Sequence, residues 1–222
     1  MKQPNTHYAL VRTEHYLGIT HPDDKHGKPF YIDFLSSKMQ YRAGHAGLRK
    51  ERLARAIGMK PKDHPTIIDT TAGLGRDSFI LATLGYHVTM LEKSPIIYAL
   101  LEDGLKRAQQ SSPDHASHRL TLIHADAIEW LPAHSKEKKP DVIYLDPMFP
   151  ERRKSASIKK DMQLLQDLLG HEENIAELLK TALACAGKRV VVKRPRLATI
   201  KDATQPSYTL PGNSTRFDIY LV

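Results

Sequence analysis

From Thr66 to the C-terminus, short apolar runs of strand length alternate with longer segments whose apolar residues recur at helical spacing. Strands are predicted at 66–69, 87–92, 120–124, 141–146 and 188–194. Between them, Phe79 to Leu84 reads as helix, and Ser94-Pro95 reads as an N-cap with proline at the first helical position, opening a helix through about Gln109. Residues 161–169 place Met162, Leu165 and Leu169 beside Leu164 and Leu168 before Gly170. Asn174 with Glu177 resembles a capping box, and Gly187 closes that helix. Such alternation predicts an α/β fold, a mainly parallel sheet with helices on both faces. The tail differs: a weak strand near 207–210, a Pro211-Gly212-Asn213 turn and the run 216–222 read as a hairpin, which adds a C-terminal antiparallel strand.

Residues 1–45 break the alternation. Tyr8 to Thr20 and Pro29 to Leu35 suggest two short strands joined by the His21-Pro22-Asp23-Asp24 turn and Gly27, and a helix follows from about Leu48 to Ile57, ended by Gly58 and Pro61. This predicts a small N-terminal β-containing cap, 1–45, on a main domain, 46–222. The length of 222 residues suits one domain with such an appendage.

Candidate chemistry sits at the strand exits. Asp69-Thr-Thr-Ala-Gly73-Leu-Gly75-Arg76-Asp77 lies between a strand and a helix, where backbone amides come close to a nucleotide-like ligand. Glu92, nineteen residues after Gly73 at the end of the next strand, is placed to accept hydrogen bonds from ribose hydroxyls. Nicotinamide and S-adenosylmethionine folds share this much. Here an acid, Asp69, stands four residues before Gly73, where it faces a cationic ligand better than a diphosphate. That favours S-adenosylmethionine, a sulfonium and ammonium carrier, and a nicotinamide oxidoreductase is the distant alternative. A later strand leaves through Leu145-Asp146-Pro147-Met148-Phe149, an acid, a proline and an aromatic ring that suit a planar amine: acceptors in its plane, a ring against its face. Asp and Pro are also ordinary turn residues, so this step gains its meaning from the upstream motif.

Charge adds a partner. Residues 151–160 carry net +4 and residues 188–196 net +5, against +8 for the whole chain, so the basic character is local. One cluster begins directly after Phe149, where phosphates flanking a bound nucleotide would lie. Its Arg152, Arg153, Lys154, Lys159 and Lys160, with Lys193, Arg194 and Arg196 after the later strand, are the candidate contacts to a polyanionic partner, which the family resemblance given below makes RNA-binding residues. The single Cys185 excludes an intramolecular disulfide and falls beside an apolar helical stripe as a packed thiol. His115 with His118, and His21 with His26, lack the convergent partners of a metal site, so no metal is expected. No run reaches the ~18 to 20 apolar residues of a membrane span, and the opening residues lack a signal-peptide core, which predicts a cytoplasmic protein.

These motifs also carry a family resemblance. Residues 69–77, Met-Leu-Glu-Lys-Ser-Pro (90–95), Tyr-Leu-Asp-Pro-Met-Phe-Pro (144–150), Lys-Ser-Ala (154–156), Lys-Lys-Asp-Met (159–162), Val-Val-Val-Lys-Arg-Pro (190–195) and Arg-Phe-Asp-Ile-Tyr (216–220) resemble the bacterial ribosomal RNA small subunit methyltransferase J family across about 30–222. The resemblance implies a Rossmann-like S-adenosylmethionine-dependent methyltransferase fold. It implies methyl transfer to N2 of a guanosine in 16S ribosomal RNA, with S-adenosylhomocysteine as product and ribosomal RNA or the small ribosomal subunit as partner. Cofactor contacts would fall on Arg76, Asp77, Glu92, Lys93, Asp126, Ala127 and Asp146, joining Asp69, Gly73 and Gly75. The family often has small hydroxyl residues where this chain has Asp126-Ala127, and an acid there can bond the adenine amino group. Thr70 often reads Ala in the family.

Within that frame Asp146 and the Pro147 carbonyl are the acceptors that turn the amine toward the methyl donor, and Phe149 stacks on the base. An Asp-Pro-x-Phe step serves any planar amine, so adenine N6 or a protein amide stays an alternative acceptor, as does a non-catalytic RNA-binding role.

Overall fold

The computed structural model describes residues 8–20, 28–147, 174–198 and 204–222. Its centre is a 7-stranded sheet in the order β5-β4-β3-β6-β7-β9-β8. The strands are β3 (Ile67–Asp69), β4 (Val88–Glu92), β5 (Leu120–His124), β6 (Val142–Leu145), β7 (Arg189–Pro195), β8 (Tyr208–Leu210) and β9 (Thr215–Leu221). β3 to β7 run parallel, and β9 pairs antiparallel with both β7 and β8. This is the Rossmann-like methyltransferase arrangement, mainly parallel with a C-terminal antiparallel strand. Successive strands lead outward from β3 to β4 and β5, and the chain then returns to place β6 on the other side of β3. Such a reversal opens a crevice at the carboxyl ends of the strands.

Strand alternation sorts the core into two layers. Ile67, Met90, Val142, Tyr144, Val191 and Ile219 point to one face, against Phe79 and Leu81 of α3 (Arg76–Thr83) and Leu100 and Leu101 of α4 (Pro95–Ser111). Ile68, Leu91, Ile143, Leu145, Val190 and Val192 point to the other, against Leu131 of α5 (Ala127–His134) and Leu178, Ala182 and Cys185 of α6 (Ile175–Cys185). Cys185 is buried, as a packed thiol. Ser94 caps α4 by accepting from the Ile97 amide, with Pro95 first in the helix. Asn174 precedes α6 without a side-chain cap, so the capping box read there does not form. The helix read over 161–169 lies outside the described residues.

The N-terminal region departs from its sequence reading. Both strands of its hairpin, β1 (Ala9–Arg12) and β2 (Leu17–Thr20), fall within the first of the two segments expected to be single strands. The second segment contributes one bridge, Phe30 to Ile19, because Ile32 and Phe34 turn inward to join the main core. A helix that the pattern did not reveal, α1 (Ser37–His45), follows, and α2 (Arg52–Ile57) starts later than read. α2 ends where expected, at Gly58, whose φ of +66° is the left-handed conformation of a helix C-terminus. The hairpin is tied to α4 by an Arg12–Asp103 ion pair. α1 packs on α3.

Candidate active site

Asp69 ends β3, Glu92 ends β4 and Asp146 follows β6, and all three are an even number of residues from side chains on the α3–α4 face. The register, which sets Asp69 opposite Met90 and Tyr144, brings them to one rim. They line a single cavity of about 430 Å³ together with Gly73, Arg76, Asp77, Lys93, Asp126, Ala127, Pro147 and Lys193. The sequence therefore placed most of its candidate cofactor and acceptor residues on one crevice.

Gly73 and Gly75 have different work. Both adopt positive φ, +52° and +67°. A Cβ at Gly73 would meet only the Thr71 carbonyl, at 3.8 Å, whereas one at Gly75 would come within 2.8 Å of Leu101 and 3.0 Å of Phe34. Gly75, read as a cofactor contact, is not among the residues lining the cavity. It lets the start of α3 pack against α4 and the N-terminal region. The Gly73 amide instead donates to Glu92 Oε2 at 3.0 Å, and the Ser94 amide donates to Oε1 at 2.8 Å. Glu92, buried, is thus fixed in orientation by the glycine turn and by the start of α4.

Asp69 is buried at the base of the turn. Its Oδ2 accepts from the Ser78 hydroxyl at 2.6 Å and its Oδ1 from the Thr71 amide at 3.1 Å. Burial, only partly offset by these bonds, pushes its carboxyl up to about 7. Ser78 occupies the third small position of the glycine motif, and its hydroxyl is why serine suits that place. Asp126 caps α5, accepting from the Ile128 amide at 2.8 Å.

Around Asp77 a network forms that sequence reasoning did not anticipate. Its Oδ2 accepts from the Tyr144 hydroxyl at 2.8 Å and from Lys193 Nζ at 2.7 Å, and its Oδ1 pairs with Arg42 of α1 at 3.2 Å. Burial alone would raise this carboxyl, but the Lys193 and Arg42 charges and the hydrogen bonds bring it down to about 2. Lys193 Nζ also reaches Asp146 Oδ2 at 2.7 Å. The Asp146 amide donates to Thr71 Oγ1 at 2.6 Å. Tyr144 both packs in the sheet, fully buried, and donates to Asp77 at the cavity. Its place two residues before Asp146, on the same strand face, was the available signal. For Arg42 and Thr71 the sequence offered none.

The basic rim divides. Of the three residues expected to face RNA together, Lys193 points into the cavity, Arg196 is exposed, and Arg194 is 3% exposed, paired with buried Asp218 at 3.1 Å. Arg194 is corrected from an RNA contact to a core residue, because on a strand neighbouring side chains point to opposite faces. Phe149, Arg152, Arg153, Lys154, Lys159 and Lys160 lie outside the described residues, as do His21 and His26. Among the described residues, no group of three or more His, Cys, Asp or Glu side chains could hold a metal ion, and no helix is long and apolar enough to cross a membrane.

A reversing parallel sheet, an acid held by a glycine turn and an Asp-Pro step on the same cavity define a Rossmann-like S-adenosylmethionine-dependent methyltransferase. The family model described as "Putative SAM-dependent methyltransferase" matches residues 1–222. The chain is 47% identical over 215 residues to ribosomal RNA small subunit methyltransferase J of Nitrosococcus oceani, covering 96% of this chain and 84% of that protein. It is 48% identical over 202 residues to the protein of the same name from Chromobacterium violaceum, covering 89% and 78%. The crystal structure of a SAM-dependent methyltransferase from Neisseria gonorrhoeae superposes with a TM-score of 0.76 at 37% identity, over 99% of this chain and 85% of that one. The chain belongs to the ribosomal RNA small subunit methyltransferase J family.

The cavity residues fit that cofactor. Glu92, oriented by two backbone amides, would hold the ribose hydroxyls, Asp126 the adenine amine, and Asp69 the amino-acid end with its positive charge. Because the Asp69 carboxyl lies near 7, a cationic ligand favours its ionised form, and binding should release a proton. S-adenosylmethionine affinity is expected to rise from pH 6 to pH 8 and then level, and Asp69→Asn should flatten that rise. Calorimetric titration across this range checks it; an equally steep rise in the variant would remove Asp69 from the account. Stability of the free protein has the opposite sign. The folded state holds the Asp69 proton to a higher pH than the unfolded chain, so this residue's contribution falls as pH climbs from about 4 to 7.

Proposed function

We propose that the protein transfers a methyl group from S-adenosylmethionine to the exocyclic N2 amine of a guanosine in 16S ribosomal RNA, in the cytoplasm where ribosomes are assembled. The observation that carries the reading is that Asp146, pinned by Thr71 and Lys193, shares one cavity with Glu92, pinned by Gly73 and Ser94. Relatives bearing the name ribosomal RNA small subunit methyltransferase J support the choice of acceptor.

Guanine N2 is a weak nucleophile because its lone pair is delocalised into the ring. When bound, S-adenosylmethionine supplies a methyl carbon made electrophilic by its sulfonium. Asp146 accepts a hydrogen bond from the amine, the Pro147 carbonyl accepts a second, and Phe149 stacks on the base. The amine is thereby held with its lone pair toward the cofactor end of the cavity. Alignment of this kind supplies ~7 to 11 kcal/mol in favourable cases, against about 10²- to 10⁴-fold for proton transfer, so Asp146 acts mainly by positioning. A base within a helix cannot enter the cavity, so the target nucleotide is single-stranded or flipped. Arg152, Arg153, Lys154, Lys159, Lys160 and Arg196 hold the flanking phosphates.

Mapping methylated nucleotides in ribosomal RNA from cells with and without the protein should show one N2-methylguanosine in 16S RNA that depends on it. Labelled-methyl transfer to undermethylated subunits, bare RNA, DNA and protein identifies the acceptor. Methylation of adenine or of a protein amide, with 16S guanosines unchanged, would replace this reading.

A further inference from the structure

Lys193 stands in a basic run, Lys193-Arg194-Pro195-Arg196, yet its ammonium lies between two carboxylates rather than toward solvent. Its Nζ is 2.7 Å from Asp77 Oδ2 and 2.7 Å from Asp146 Oδ2, and its side chain is 24% exposed. β7 explains the direction: Val191, two residues earlier, points to the same α3–α4 face as Tyr144, while Arg194 follows Val192 to the other. With both bonds made, Lys193 has little charge to offer a phosphate.

We infer that Lys193 is a positioning residue for methyl transfer, clamping Asp146 in the orientation in which it accepts the substrate amine and tying it to Asp77 at the start of α3. The inference rests on the proposed role of Asp146. A carboxylate on a single-bonded stem turns freely in water, and its acceptor plane must match the plane of the amine. The ammonium on Oδ2 restrains that plane, and the Thr71 bond to the Asp146 backbone amide holds the stem that carries it, before substrate arrives. Asp77 is itself held from β6 by Tyr144 and from α1 by Arg42, so Lys193, together with the Thr71 bond, registers the acceptor end of the cavity against the cofactor turn.

The test compares Lys193→Met and Lys193→Arg in the full chain with Asp146→Asn, measuring kcat, KM for RNA at several salt concentrations, and the pH dependence of kcat. Lys193→Met should lower kcat by about 10²-fold, the scale of a misplaced reacting group, with KM for RNA and its salt dependence unchanged. Among the described residues, Asp146 would then face Asp77 from α3, Tyr144 from its own strand, Asp69 from β3 and the more distant Arg42, with the Lys193 ammonium gone. The acid limb of kcat should move to higher pH. Lys193→Arg should recover part of the rate with the acid limb near its original place. An unchanged kcat with a raised RNA KM and a salt slope smaller by about one would make Lys193 a phosphate ligand and overturn the inference. A kcat that falls only with the folded fraction, with no pH displacement, would make it structural and equally overturn it. Full activity of Asp146→Asn would defeat the underlying role of Asp146. Inactive Asp146→Asn beside fully active Lys193→Met would defeat the clamp alone.

Discussion

Asp146→Asn is expected to slow methyl transfer to the small-subunit RNA by about 10²- to 10³-fold, the loss found when one preorganised polar contact is taken from a reacting centre. Asparagine keeps the shape of the side chain and alters its chemistry. One oxygen becomes an N–H donor and the negative charge disappears, so the group meets the substrate amine and the Lys193 ammonium with weaker or repulsive contacts. Asp77 still pairs with Lys193, Tyr144 and Arg42, and Glu92 keeps its two backbone amides. S-adenosylmethionine binding should therefore change far less than the rate. Single-turnover transfer beside a cofactor titration separates the two. A variant that loses cofactor affinity in proportion to rate would mark Asp146 as a cofactor ligand, and one that methylates at the normal rate would remove it from the chemistry.

The largest effect on stability is expected at Asp218. It is 0% exposed in β9, where it pairs with Arg194 at 3.1 Å and Arg216 at 2.9 Å and accepts from Thr209 Oγ1 at 2.9 Å. Asp218→Ala takes the buried carboxylate partner from the Arg194 guanidinium in the layer lined by Val190 and Val192. Removing one partner of a buried pair costs about 3 to 5 kcal/mol. For a chain of this size each kcal/mol lowers Tm by roughly 2 to 4 °C, and thermal or urea unfolding reads the drop directly. Replacing Arg194 by Met as well should recover part of the loss, because breaking such a pair costs more than deleting it. A single variant as stable as the parent would show that Asp218 contributes no net stability there.

Periodicity located the strands of the 7-stranded sheet to within a residue or so, because each is a compact apolar run whose burial depends on local pattern. The return of β6 to the side of β3 was not legible, since pairing order joins residues far apart in the chain. α1 escaped for a physical reason: among its nine residues only Met39 is buried, so there is no apolar stripe to detect. In the segment before it, Ile32 and Phe34 alternate like a strand while packing into the core without a sheet partner. Charge was the least reliable guide. Lys193 and Arg194 adjoin in sequence, yet strand geometry turns one to Asp77 and Asp146 and the other to buried Asp218. The motif residues were legible because turn chemistry is local, and what Ser78, Tyr144 and Thr71 add emerged only when the strand ends came together.

Arg42 belongs to the N-terminal segment, and its guanidinium pairs with an acid that the glycine turn delivers. A borrowed or redesigned N-terminus that lacked this arginine would hand the catalytic module an unbalanced negative charge beside the incoming base. Exchange of front ends among related enzymes is thus constrained by electrostatics at the crevice as well as by the fit of one hydrophobic surface on another.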